Sequence, residues 1–288
     1  MQVSAVICTY GRPEDLSKLL NSLLRQIFKP LEIIVVDDKT PTDVIRVVCE
    51  GYKAKCQRVN INLIYIRNPR RRGLTVARNV GTEKARGDVI LFLDSDMIAY
   101  PDFIERILDV FKENAHAIGV QGWMVNRRRA KFYYLVQTFY RMFFFFHHTK
   151  DSCRFFEYPN ALTKVINCEW LCGGDMAFKR SIFNEFQFDE NLENYSYMED
   201  DLFSHSIFQK YPESLFITPY AKCIHTVSEE GRMESEELKE HKRKCRKYVL
   251  TKLFGFKGLL QYYRQNIGLL IFESIRRIKN IRRVILSG

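Results

Sequence analysis

The chain has 288 residues, 46% of them hydrophobic, with 45 Lys and Arg against 34 Asp and Glu for a net charge of +11. That length and apolar content suit one large domain, or one domain with an appendage, and exclude an intrinsically disordered chain. The eight cysteines show no CxxC pair and no disulfide-like rhythm, so most are expected to be small buried hydrophobes in a reducing compartment.

The N-terminus, MQVSAVICTY, enters a strand pattern at once and has no basic n-region, so no secretory signal is expected. VSAVIC (3–8) predicts a first strand. The following PEDLSKLLNSLLRQI predicts a helix with Leu16, Leu19, Leu20, Leu23, Leu24 and Ile27 on one face. Pro13 suits its first turn, and Glu14 and Asp15 suit its positive end. EIIVV (32–36) predicts a second strand ending at Asp37 and Asp38, followed by a helical segment from about Asp43 to Tyr52. NLIYI (62–66) predicts a third strand. RRRGLTVARNVGTEKARG then leads into a helix that Gly87 can close. VILFL (89–93) predicts a fourth strand, PDFIERILDVFKE an amphipathic helix, and AIGVQGWMV (117–125) a fifth strand.

Solid apolar strands separated by helices imply a mostly parallel sheet covered on both faces. Ligands of such sheets collect at the carboxyl ends of the strands. Three of those ends here are polar: CTYGR (8–12), VVDDKT (35–40) and FLDSD (92–96), which places Thr9, Asp38, Asp94 and Asp96 along one edge. The paired acids of DSD repel unless a divalent cation sits between them, and hard oxygen ligands suit Mg²⁺ or Mn²⁺. By itself a DxD is equally a pair of solvated turn acids.

Charge is unevenly placed. From Lys239 onward there are 14 Lys and Arg against 2 acids, whereas residues 1–238 hold 31 against 32. The tail LFGFKGLLQYYRQNIGLLIFESIRRIKNIRRVILSG (253–288) lacks an apolar run of about 18 residues, so it is not expected to span a bilayer. It is expected to lie against an anionic membrane surface, the alternative being a helix packed on the body with a solvated basic face. No nucleic-acid module is recognisable, so no nucleic-acid partner is expected. The stretch RRRAKFYYLVQTFYRMFFFFHH (127–148) is basic and then densely aromatic, and periodicity leaves open a core helix or a helix against lipid or acceptor.

CTYGRP, VVDD, GLTVARNVG, FLDSDM, CGGDMAFKR and YMEDDLF occur in this order. Together they resemble the inverting glycosyltransferases of family 2, over roughly residues 3–226. The resemblance implies a GT-A fold: an α/β single domain with a mostly parallel central sheet flanked by helices, plus a basic helical tail. The domain would span 1–238, with a nucleotide-sugar half of about 1–125 and an acceptor half of about 126–238, and the tail 239–288. It implies that Thr9, Tyr10, Arg12, Asp38, Gly73, Arg78 and Asp94 contact the nucleotide and its diphosphate. Asp38 would accept the base N–H, a charge-assisted bond. Its other reading is an Asx-turn or helix N-cap.

By the same resemblance Asp94, Asp96 and His225 would hold Mn²⁺ or Mg²⁺. Gly173, Gly174, Asp175, Glu199 and Asp201 would lie near the donor or acceptor sugar. Asp200 would be the general base that takes the acceptor hydroxyl proton. Asp201 departs from the usual pattern, and a one-residue shift of register exchanges it with Asp200. The implied reaction moves a sugar from a nucleotide-diphosphate sugar, a UDP-sugar first, to a hydroxyl of a lipid-linked or polymeric glycan. The implied place is cytoplasmic, peripheral on the inner face of the cell membrane. Two other functions fit an α/β site with acids: a nucleotidyltransferase, which wants a glycine-rich loop where CTYGRP has one glycine, and a non-catalytic nucleotide-sugar binder, which would have lost its acids.

Overall fold

A computed structural model describes residues 1–126, 162–193, 196–226 and 236–286, the last 18 of these as backbone only. The aromatic stretch 127–148 lies outside the described residues. Two compact units are present, one holding the sheet and one holding the C-terminal helices from residue 237.

The sheet unit begins with β1 (Val3–Thr9), β2 (Glu32–Asp37), β3 (Asn62–Arg67) and β4 (Val89–Phe92). β2 and β4 pair parallel with β1, and β3 pairs parallel with β2. β1, β2 and β4 are almost wholly buried, as their unbroken apolar runs require. Helices α1 (Pro13–Leu24), α2 (Val44–Arg58) and α3 (Leu74–Lys84) connect them. Pro13 sits in the first turn of α1 with Glu14 and Asp15, while α2 runs six residues past its expected end at Tyr52.

Gly87 does not cap α3. The helix ends at Lys84, and a Cβ on Gly87 would stand 2.6 Å from the Ser4 backbone nitrogen. Glycine is needed there because the turn into β4 passes directly against β1, where the Gly87 N–H donates to Ser4 Oγ (2.8 Å). Gly81 does the same for α3 against β1: a Cβ would meet Val6 Cγ1 at 2.4 Å.

The second half of the sheet is mixed. After β5 (Met97–Ala99) and α4 (Phe103–Glu113) come β6 (Gly119–Met124), β7 (Ile166–Asn167), β8 (Met176–Lys179), a 3-10 turn (Arg180–Asn184), α5 (Glu199–Lys210) and β9 (Leu215–His225). The order is β3-β2-β1-β4-β8-β6-β9-β5, with β7 also on β9. β8 runs antiparallel between β4 and β6, and β9 runs antiparallel to β5. This reversal has a consequence for chemistry. The residues just before β8 arrive at the carboxyl end of β4, and the last residue of β9, His225, pairs with Met97, the neighbour of Asp96.

Beneath that edge lies an aromatic cluster. The Phe188 ring is 5.3 Å from Phe92 and 4.1 Å from Phe203, and Phe203 also packs on Phe178 and Phe183. Burying each such ring contributes about 1.5–3 kcal/mol.

The second unit contains α6 (Glu236–Leu286), which is two helical segments meeting at Gly255 (φ 58°, ψ −133°). The bend is sharp enough that a Cβ on Gly258 would strike the Leu250 carbonyl oxygen, and Lys247 Nζ lies 5.9 Å over the Tyr263 ring. The second segment therefore doubles back along the first. Among the described residues no helix is long and apolar enough to cross a membrane.

Candidate active site

The polar strand ends converge as the topology requires. Thr9 pairs with Asp37, and the Asp38 N–H donates to the Thr9 carbonyl (2.8 Å). The two acids of VVDD divide their work. Asp37 makes the turn, accepting the Thr40 N–H on Oδ1 (2.9 Å) and the Tyr65 hydroxyl on Oδ2 (3.0 Å). Asp38 instead reaches the third strand's loop: Asn68 Nδ2 donates to Oδ1 (2.8 Å), and the Gly73 N–H lies 3.1 Å from both oxygens. Gly73 has φ 152°, a left-handed backbone that no side chain adopts easily. Asp38 is thus a buried carboxylate tied to that loop and is not the N-cap of α2. Tyr10 is exposed, with the Arg72 guanidinium 3.8 Å above its ring. Thr9 Oγ1 is buried with no hydrogen-bond partner among the described residues.

The DSD motif holds its two acids differently. Asp96 is buried between two cations or potential cations: Arg12 Nη1 lies 3.2 Å from Oδ2 and His225 Nε2 lies 3.1 Å from Oδ1. His225 is fixed by Asn126, whose side chain donates to the His225 carbonyl (2.7 Å) and accepts its N–H (3.0 Å). The Asp94 side chain is 42% exposed. Desolvation raises its pKa, Arg78 opposes the rise and Asp96 adds to it.

Arg78 is the hub behind these acids. Its Nη1 is 2.6 Å from Glu199 Oε2, its Nη2 is 3.6 Å from Asp94 Oδ1, and Nη2 donates to the Gly173 carbonyl (3.0 Å). The guanidinium is buried and sits 5.3 Å over Phe188. Burial works against its charge, but Glu199 and Asp94 more than compensate and hold it protonated. Burial raises the Glu199 carboxyl well above the ordinary glutamate value, with Arg78 pulling it back and Asp200 pushing it further up. Cys8 is a half-buried thiol, its pKa pushed up to about 12 by desolvation.

Asp200, at the start of α5, accepts the Gly173 N–H on Oδ2 (2.6 Å) and the Asp201 N–H on Oδ1 (3.0 Å). The next residue of that loop, Gly174, accepts the Asp94 N–H on its carbonyl (3.1 Å). A two-glycine loop is therefore bonded to Asp200 on one side and Asp94 on the other. A Cβ at Gly173 would stand 2.8 Å from Arg78 and 3.2 Å from Asp200 Cβ. The turn leading into α5 carries two non-glycine residues at positive φ, Ser196 (47°) and Met198 (67°). Such strain, of order 1–3 kcal/mol each, recurs where function dictates backbone geometry.

Thr9, Tyr10, Asp38 and Gly73 thus share one end of the edge, Asp94, Asp96, His225, Gly173, Gly174, Glu199 and Asp200 the other, and Arg12 reaches the second end through its ion pair with Asp96. Two expected residues stand apart from open space. Arg78 is buried, paired with Glu199 and Asp94 and donating from Nη2 to the Gly173 carbonyl. Asp175 is fully buried, with the Cys223 thiol 3.4 Å from its Oδ2. Asp201 is half-buried beside Asp200. Asn68 and Asn126 have no signal in the sequence, because an asparagine in a loop carries none until its partner is known; Arg72, one of three loop arginines whose sequence reading is open between a phosphate ligand and a solvated loop, stands over Tyr10.

The donor set fits a divalent cation in part. A carboxylate oxygen and an imidazole nitrogen 3.1 Å apart can share one ion, and Asp94 is open beside them. Among the described residues no preformed cluster of three or more His, Cys, Asp or Glu is gathered for a metal. A cation would need further ligands, which a diphosphate supplies.

The family model for glycosyl transferase family 2 matches residues 4–186. A glucosyl-dolichyl phosphate glucuronosyltransferase of Haloferax volcanii is 29% identical over 190 residues, 64% of this chain and 55% of that protein. The chain spans about half the length, or less, of the curated relatives it matches. Residues 1–349 of S. aureus TarS, solved with UDP-GlcNAc, superimpose with a TM-score of 0.56 at 19% identity, covering 93% of this chain and 73% of that one. GalNAc-T7, solved with UDP, GalNAc and Mn²⁺, gives a TM-score of 0.59 at 16% identity, covering 85% and 47%. These likenesses show the GT-A fold.

Proposed function

Because the chain belongs to glycosyl transferase family 2, we propose that it transfers a sugar, with inversion, from a nucleoside-diphosphate sugar to a hydroxyl of a glycan or lipid-linked acceptor. The observation that carries this reading is the Gly173–Gly174 loop: the Asp200 carboxylate accepts the Gly173 N–H, the Asp94 backbone N–H donates to the Gly174 carbonyl, and a Cβ on Gly174 would stand 3.4 Å from the Asp94 carboxylate. Carboxylates more than 100 residues apart in sequence flank one short stretch of side-chain-free backbone. A sugar ring lying there would have a leaving group toward Asp94 and Asp96 and an incoming alcohol toward Asp200.

In the reaction the acceptor oxygen bonds to the anomeric carbon as the bond from that carbon to the diphosphate oxygen breaks. Asp200 takes the acceptor proton. The nucleoside diphosphate leaves from the opposite face. Asp200, rather than Asp201, is assigned as base because its carboxylate is the one fixed against the loop. Tyr10 offers a ring face, and Asp38 a carboxylate, to a nucleobase. UDP is the first choice, in keeping with the UDP complexes of the similar folds. Arg78 acts from behind, holding Glu199, Asp94 and the Gly173 carbonyl in place. Asp96 and His225, with Asp94, would hold Mn²⁺ or Mg²⁺. Bound there, the ion supplies positive charge to the departing diphosphate.

The test is to incubate the chain with UDP-, GDP- and dTDP-sugars and assay the released phosphates. Release of one nucleoside diphosphate, lost on chelation and restored by Mn²⁺ or Mg²⁺, is expected. Pyrophosphate release would instead identify a nucleotidyltransferase. No release from any donor would leave a binding protein.

A further inference from the structure

The second segment of α6 is amphipathic in the wrong sense for a helix facing water. Its exposed residues include Phe256 (80% exposed), Leu260 (45%), Tyr263 (50%) and Ile267 (54%). At about 100° per residue these four fall within roughly 60° of arc. The opposite face, which is buried, is Gly258, Gln261, Gln265 and Gly268. Soluble helices bury the apolar stripe and expose the polar one. Here an apolar stripe is presented outward while glutamines are covered.

In sequence the spacing of the stripe continues through Leu270, Ser274, Ile278, Ile281 and Ile285, with one polar residue in five. Cations accompany it. Residues 251–288 hold eight Lys and Arg, Lys252, Lys257, Arg264, Arg276, Arg277, Lys279, Arg282 and Arg283, against the single acid Glu273. Lys257 and Arg264 stand on the helix at the margin of the stripe, where long cationic side chains can reach along apolar surface and keep their charge in a polar layer.

We propose that this stripe is a docking face for an anionic lipid surface, with Phe256, Leu260, Tyr263 and Ile267 entering the acyl boundary and the adjoining cations meeting the headgroups. Charge decides between the two occupants an apolar stripe can have. A second copy would bring another helix of the same strongly positive sign alongside, which is repulsive. An anionic surface offers apolar depth and opposite charge together. The helix lies in the interface and does not cross it, in keeping with its broken apolar run.

The experiment is flotation of the full chain with vesicles of phosphatidylcholine alone and of phosphatidylcholine with a third phosphatidylglycerol. The chain is expected to float with the anionic vesicles and to lose most of that binding in the neutral ones and at 0.5 M salt. Leu260→Ser/Ile267→Ser and Phe256→Ser should each weaken binding roughly tenfold or more while leaving the melting temperature unchanged, since the residues replaced are exposed. Arg282→Gln/Arg283→Gln should weaken it by several-fold. No flotation overturns the proposal. So does flotation that the serine variants leave intact. Concentration-dependent dimers in sedimentation, abolished by the same serine variants, would assign the stripe to self-association instead. None of these readouts needs turnover, so they stand or fall apart from the sugar-transfer reading.

Discussion

Arg78 brings one positive charge to the carboxylates of Glu199, Asp94 and Asp200, so the cluster holds more negative charge than it neutralises. Removing one partner of a buried pair leaves the other uncompensated. Arg78→Met should therefore cost about 3–5 kcal/mol of stability, read in denaturant unfolding, whereas Arg78→Lys should recover part of it without the double contact to Glu199 and Gly173. Glu199 makes a pH prediction. Its pKa is raised in the folded protein, so folding favours its protonated form. That contribution is fully present below the unfolded value near ~4.3 and is lost as pH rises through the folded value. The stability of the native chain relative to Glu199→Gln should fall as pH is raised from about 4.3. A difference independent of pH would contradict the raised value.

At the scale of elements, close approaches between backbones fix the edge on which the site stands. Gly81 admits Val6 of β1 against α3, and Gly87 admits the backbone of Ser4. Gly81→Val and Gly87→Val should each cost about 1–3 kcal/mol by overpacking, lowering the melting temperature by several degrees. A melting temperature unchanged in both would mean that these contacts are slack. The sequence made the parallel half of the sheet readable because apolar runs such as EIIVV and VILF are strands buried on both faces. Each ends in an acid whose position follows from the strand's direction. The mixed half was less readable. β8 is only four residues and β9 is interrupted opposite β6, so neither shows a clean period. Their antiparallel insertion brings Gly173 to Asp94 and His225 to Asp96. The motifs named those residues, but only the topology shows how they meet. Arg78 reads in sequence as a phosphate ligand, because nothing local reveals that Glu199, 121 residues later, fills its guanidinium. The reversed face of α6 was hidden for a similar reason. A helix period shows that two faces differ, not which one is covered.

Over the whole molecule, charge and chemistry are separated along the chain: a near-neutral stretch carries the acids of the site, and a basic stretch carries the apolar stripe. Ligand effects should follow the same division. A matching UDP-sugar should stabilise the fold only in the presence of Mn²⁺ or Mg²⁺, by RT ln(1 + [L]/Kd), about 2.7 kcal/mol at one hundred times Kd, read as a rise in melting temperature. Stabilisation that chelator leaves unchanged would remove the ion from the account. The central claim is that acids on two sides of the Gly173–Gly174 loop serve one sugar in different roles. It is tested most directly by comparing donor affinity and turnover in Asp200→Asn and Asp96→Asn. The account predicts that Asp200→Asn binds donor with unchanged Kd and turns over at least about 10²–10⁴ times more slowly, the usual weight of a general base. Asp96→Asn should lose metal-dependent donor binding. An Asp200→Asn enzyme that works within tenfold of the native rate would contradict it.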